Sequence, residues 1–175
     1  MRVSTRDWKG KRRGETLRMS DRELLEKLLL QEKTLQFGEF SHDTAFQIAE
    51  KIYRRAREEL WAVTVDISRF GQQLVHFSMP GTARDNDEWI RRKCRVVERF
   101  SHSSYYMGVY YQSIGKTIES ESFLDSREYI PFGGAFPIII RNTGVIGTIT
   151  VSGLSQERDH GAVIDALSEV LNIGQ

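Results

Sequence analysis

The sequence has a single cysteine, Cys94, among 175 residues, which excludes an intramolecular disulfide framework and any thiolate cluster for zinc or iron–sulfur. There are only three prolines. No apolar stretch approaches the roughly 18 residues needed to span a membrane as a helix, and no 7–15-residue apolar stretch follows the basic N-terminus as in a secretory signal. A net excess of charge is lacking too. Lys plus Arg is 25 and Asp plus Glu 24, so bulk charge speaks against a nucleic-acid binder. What is there is the composition of a globular domain: 39% hydrophobic, 28% charged and 10% aromatic residues, in a length that favours one domain. The expected setting is a reducing cytoplasm, without a membrane or nucleic-acid partner.

The charge is unevenly placed. Residues 1–18 hold seven bases against two acids, a net of +5, and the remaining chain is net −4. Residues 1–19 read as a basic, disordered extension, and 20–175 as a single domain. Met19 directly precedes the first ordered signal and is the expected natural start. That signal is Ser20-Asp21-Arg22-Glu23, which has capping-box form, followed by a stripe of Leu24, Leu25, Leu28, Leu29 and Leu35.

A second helix is predicted after Ser41, with Ala45, Phe46, Ile48, Ala49, Ile52, Tyr53 and Ala56 on one face. Val63, Val65 and Ile67 then alternate with Thr64, Asp66 and Ser68, Phe70-Gly71 turns the chain, and Leu74, Val75 and Phe77 continue a second strand. A third helix spans about Asp85 to Phe100, with a shorter helical or irregular piece through Met107. Residues 112–127 are polar and read as a surface excursion. Pro137–Ile140 and Val145–Val151 flank Asn142-Thr143-Gly144, a strong hairpin signal, because Asn and Gly tolerate positive φ. A last helix opens near Ser155, with Glu157 and Asp159 in its first turn. Strands joined by short turns predict an antiparallel sheet packed by helices, an α+β fold.

Several segments carry candidate chemistry. Gly115-Lys116-Thr117 imitates the end of a P-loop, but the glycine required at position 110 is Tyr110. Of the four histidines, none lies three or four residues from another, so no local metal pair exists and no metal site is assigned. Arg91, Arg95 and Arg99 form a basic stripe that reads as a solvated face balanced by Asp87, Glu88 and Glu98. Arg92 and Lys93 lie nearer the apolar face, where a base needs a defined ion pair or an anionic ligand. Arg99 to Gly108 crowds hydroxyls and aromatics around His102, which suits either an aromatic pocket or a helix C-cap. Gly133-Gly134 before a strand permits close approach by a ligand or another chain, or forms a bulge. Asp159-His160 falls at a helix start, where free N–H groups can take an anion.

These segments together, Ala83–Asp87 with Trp89–Lys93, Phe100–Gly108, Gly133–Ile138, Gly147–Gly153 and Asp159-His160, resemble an uncharacterised bacterial and fungal family within the GlcG-like, haem-degrading-domain (HbpS-like) superfamily. The resemblance covers roughly residues 20–172. It implies a profilin-like fold, a five-stranded antiparallel sheet between helices in α/β/α layers, commonly assembled into ring-like homo-oligomers. The fifth strand would fall near Arg127–Phe132, or else near Phe37–Phe40. Superfamily relatives include haem-binding and haem-degrading proteins and the C-terminal domain of PduO-type cobalamin adenosyltransferases. No reaction carries over for the family itself, no cofactor is required, and haem enters as a ligand by resemblance only.

The first reading is therefore a cytoplasmic, homo-oligomeric small-molecule-binding domain whose ligand is anionic or a carboxylate-bearing tetrapyrrole. Its expected pocket, at subunit edges, uses Arg84, Arg92, Lys93, His102, Ser104, Tyr105, Gly133, Gly134, Asp159 and His160. The second is a haem-degrading enzyme with His102 or His160 near the iron. The third is a non-catalytic interaction scaffold.

Overall fold

The computed structural model describes residues 20–173; the expected basic extension and the start at Met19 lie outside them. The chain orders as α1 (Asp21–Thr34), α2 (His42–Glu58), β1 (Thr64–Arg69), β2 (Gln72–Ser78), α3 (Arg84–Phe100), α4 (Ser104–Ser113), α5 (Ile118–Ser122), β3 (Ala135–Ile140), β4 (Gly144–Ser152) and α6 (Gln156–Val170).

The local signals act as read. Ser20 and Glu23 close the capping box of α1, and Ser41 does the same for α2 with Thr44. Phe70 and Gly71 take positive φ in the β1–β2 turn, as do Asn142 and Gly144 in the β3–β4 turn. Residues 112–127 are less of an excursion than expected. They contain the end of α4 and all of α5, whose Ile118 is buried against Val96, Met107 and Tyr111 in a second, smaller core.

The sheet is antiparallel, in the order β2-β1-β4-β3. It has four strands among the described residues, not the expected five. Residues 127–132 form no strand. The alternative site supplies only a single parallel bridge: Phe37 N–H donates to Ile139 O at 2.9 Å, and Arg141 N–H to Phe37 O at 2.9 Å. The chain bends at Gly38, directly after that bridge, and the Phe40 ring packs edge-on against Phe37 at 5.1 Å.

Partners across an antiparallel ladder share a face. Val65 with Val151 and Ile67 with Ile149, extended to Phe136 and Ile138, make one face wholly apolar, and it packs on Ala45, Ile48, Ala49 and Ile52 of α2 and Ala162, Val163, Ala166 and Leu167 of α6. The other face pairs Thr64 with Ser152, Asp66 with Thr150 and Ser68 with Thr148. Helix α3 covers it, so Thr64, Asp66, Thr148, Thr150 and Ser152 are buried polar groups. The layers are thus helix, sheet and helix, with α4 packed against α1 and α3 and also touching α6 and β3.

Candidate functional site

The start of α3, the end of β4, the Phe132-Gly133-Gly134 lead into β3 and the first turn of α6 converge at one end of the sheet. They enclose a cleft of about 440 Å³, lined by Asp85, Asn86, Trp89, Lys93, Phe132, Ser152 to Glu157 and Asp159. Trp89 and Phe132 form one wall, with ring centroids 5.7 Å apart. The Arg92 guanidinium lies 4.6 Å from the Trp89 ring centroid, and Asp85 accepts from the indole N–H at 3.0 Å. Asn86 accepts from the Ala83 N–H at 2.9 Å and donates to Ser152 O at 3.2 Å, fixing the α3 N-terminus to β4.

Lys93 lies at the floor. Its position on the α3 face that carries Ile90 and Val97 buries it to 3% exposure, and the partner demanded by that burial is Asp159. Lys93 Nζ donates to Asp159 Oδ2 at 2.8 Å and to Val151 O at 3.2 Å; Asp159 Oδ1 accepts from the Leu154 N–H at 2.9 Å. Burial is the largest influence on both groups. It draws the ammonium below its ordinary pKa and the carboxyl above its own, while each partner's charge opposes the shift. Gly133 and Gly134 complete this corner. A Cβ on Gly133 would meet Gln156 O at 2.1 Å, and one on Gly134 would meet Val151 O at 2.3 Å and Lys93 Nζ at 2.7 Å. Gly134 also takes φ +129. The glycine pair lets the backbone approach β4, α6 and the amine.

Ser104 is buried beneath this turn. Its hydroxyl donates to Phe132 O at 2.5 Å and accepts from the Ala135 N–H at 3.0 Å. It holds the glycine turn in place and is not part of the cleft lining. Arg84 is exposed at the first position of α3. The Arg91 and Arg95 stripe is spent on acids: Arg91 pairs with Glu88 and Glu128, and Arg95 with Glu128.

The histidines lie elsewhere. His102, just past the C-terminus of α3, donates from Nδ1 to Glu32 Oε2 of α1 at 2.6 Å and stacks on Tyr106 at 4.5 Å. Glu32 is buried and also accepts from the Ser103 N–H at 2.7 Å. This bond raises the His102 pKa. His160 is buried on α6, its Nε2 2.9 Å from Gln31 Oε1, with Tyr105 and Phe136 rings at 5.2 and 6.0 Å. Its Nδ1 has no hydrogen-bond partner among the described residues, and desolvation lowers its pKa to about 3, so it is a neutral imidazole. Eight of the ten candidate residues thus fall into two groups and not one pocket, with Arg84 and Ser104 in neither. Lys93, Gly133, Gly134 and Asp159 meet at the cleft with Arg92 over its Trp89 wall; His102, Tyr105 and His160 join α1, α4 and α6.

The residues not anticipated were Trp89 and Phe132 as a wall and Glu32 as the partner of His102. A signal existed for Glu32, since it follows Leu28 by four residues and precedes Leu35 by three, on the apolar stripe of α1. The pairing of Trp89 with Phe132 joins residues 43 apart and had none.

An antiparallel sheet between helix layers, with a cleft at one end built from the glycine turn and the first turn of the last helix, places the molecule in the α+β class to which the profilin-like domains belong. The chain belongs to the family described as haem degrading protein HbpS-like, which it matches over residues 40–168. It is 45% identical over 141 residues to a UPF0303 protein of Streptomyces avermitilis, covering 81% of this chain and 86% of that one. Among solved structures it is similar to the Ybr137w protein, with TM-score 0.79, 37% identity and coverage of 85% and 87% of the two chains. The fold is shared with PduOC in its complex with haem, with TM-score 0.62, 23% identity and coverage of 77% and 96%. No helix among the described residues is long and apolar enough to cross a membrane.

Proposed function

We propose that this chain is a cytoplasmic, homo-oligomeric small-molecule-binding domain whose ligand enters the Trp89–Phe132 cleft and carries an anionic group. The observation that carries this reading is the buried Lys93–Asp159 pair at the cleft floor. An ammonium has three donors. Val151 O and Asp159 take two, and the third serves the ligand. The N–H groups of Gln156 and Glu157 open α6 and precede the first intrahelical bond, so they can donate to a carboxylate or phosphate oxygen. The aromatic wall suits a flat ligand body. Asp85 and Glu157 on the rim make selection depend on directed donors and not on bulk positive charge.

A panel of phosphate, small dicarboxylates and 2-oxo acids, read by melting temperature, tests this. At least one should stabilise the protein, and Trp89→Ala should abolish the shift. A panel without effect overturns the anion reading. Light scattering tests assembly, and a ~20 kDa species at micromolar concentration overturns the oligomer.

A haem-binding reading rests on a different residue. His102 presents Nε2 on a half-exposed ring while Glu32 engages Nδ1, the arrangement that orients an imidazole for a metal. When bound, haem would supply the redox chemistry, and His102 would hold its iron. His160 does not fit that role, because its ring is enclosed by Gln31, Tyr105 and Phe136. Haem titration should give a Soret shift that is lost in His102→Ala and kept in His160→Gln. No spectral change at micromolar haem removes this reading.

A further inference from the structure

We infer that Lys93 forms a reversible imine with a small 2-oxo acid seated in the Trp89–Phe132 cleft. This rests on the cleft being the ligand site and goes beyond it by assigning a covalent step and a substrate class.

Four observations converge. Lys93 is the one fully buried lysine among the described residues, yet its side chain lines an open cleft of about 440 Å³. The chain is cut back to glycine beside the amine, where a Cβ at Gly134 would lie 2.7 Å from Nζ. Asp159 is 2.8 Å from Nζ and is held by the Leu154 N–H, which fixes a proton carrier beside the nucleophile. Finally, the same cleft is bounded by the first turn of α6, whose N–H groups suit the carboxylate that adjoins the carbonyl in a 2-oxo acid.

The chemistry closes within these groups. The Lys93 ammonium passes a proton to the Asp159 carboxylate, leaving a neutral amine beside a neutral acid. Nζ attacks the carbonyl carbon, and the amine proton it loses ends on the carbonyl oxygen, giving a carbinolamine. Asp159 returns its proton to that hydroxyl, which leaves as water as the nitrogen lone pair closes the C=N bond. The product is a protonated imine paired with the Asp159 carboxylate, and one water is released. Burial draws both groups in the direction of the neutral amine–acid pair that starts this sequence, and a lysine nucleophile must be unprotonated.

The test is intact-protein mass and peptide mapping after incubation with pyruvate and cyanoborohydride, with acetone as the ketone that lacks a carboxylate. One reduced pyruvate adduct should form on the peptide carrying Lys93, and acetone at equal concentration should label it at least tenfold less. Lys93→Arg, which keeps a cation beside Asp159, should lose the adduct. If that variant does not fold, the wild-type peptide map still decides the question. Labelling confined to surface lysines, with Lys93 unmodified, overturns the proposal. A pyruvate-induced melting shift that Trp89→Ala abolishes, without an adduct on Lys93, also overturns the imine while leaving the cleft as the ligand site.

Discussion

The two faces of the sheet are built from the same alternating strands and held by different physics. On the α2 and α6 side, Val65, Ile67, Phe136, Ile149 and Val151 are fully buried among aliphatic side chains, and stability there comes from apolar area removed from water. On the α3 side, Thr64, Asp66, Thr148, Thr150 and Ser152 are equally buried but polar, so each must find a partner. They do so locally. Thr64 shares a hydrogen bond with Ser78 at 2.9 Å, and Asp66 accepts from Ser68 at 2.7 Å and Gln73 at 2.5 Å. Cys94 Sγ lies 3.1 Å from the Thr150 hydroxyl, and desolvation raises the thiol pKa to about 11, so it stays protonated at neutral pH. The apolar face makes the fold. The polar face and the rim of α3 supply the directed groups from which a site can be made.

The largest effects should come from breaking each side at its most committed residue. Phe136→Ala should cost about 3–5 kcal/mol in denaturant unfolding by leaving a cavity. Lys93→Met should cost a similar ~3–5 kcal/mol, because it strands Asp159 as a buried unpaired charge. A second substitution separates the two sides: adding Asp159→Asn to Lys93→Met should recover much of that loss, whereas no single change refills the Phe136 cavity. If the double variant is no more stable than Lys93→Met, charge stranding is not the cause. Thr150→Val is a smaller test of the polar face, expected to cost about 0.5–1.5 kcal/mol for one hydrogen bond. A cost as large as that of Phe136→Ala would show the polar network to be as structural as the apolar core.

His102, past the end of α3, and His160, on α6, give the subtler, pH-dependent effects, and they run in opposite directions. His160 has its folded pKa lowered from the ordinary 6.5 to about 3, so between those values the unfolded chain binds the proton that the folded one refuses. Stability should therefore fall as pH drops from 6.5 toward 3, and His160→Gln should flatten that slope. His102 has its folded pKa raised by Glu32. Its contribution is fully present below 6.5 and is lost as pH rises through the folded value; Glu32→Gln should remove it. Urea midpoints measured across this range separate the two. The smallest effect is expected at the exposed α2–α6 pair, where Lys51→Ala should cost under about 1 kcal/mol although Nζ lies 3.0 Å from Glu169.

Much of the fold was legible because its signals are local. Ser20 with Glu23, Asn142 with Gly144 and the alternation through Val63–Ser68 each act within a few residues. The strand count was not legible: residues 127–132 form no strand, and the Phe37–Phe40 segment bends at Gly38 after a single bridge. The candidate site was legible in part. Lys93 was marked by a base on an apolar face, and Asp159 by an acid at a helix start, but nothing in either segment pairs them across 66 positions. His102 and His160 looked like members of the same pocket because each has acids, hydroxyls or bases beside it in the chain. They are instead tied to Glu32 and Gln31, neighbours on α1 that point to different partners.

By itself, the sequence determined the elements, their caps and turns, the antiparallel connection of consecutive strands, and which faces are apolar, because each depends on backbone preference or on periodicity within one segment. The tertiary structure decided which polar groups face each other. Burial of a charge is tolerated only beside a partner, and that partner comes from whichever element the packing brings near. Thus the packing of α3 across the polar face toward the start of α6 made Lys93 and Asp159 a pair, and the cleft above them the candidate site.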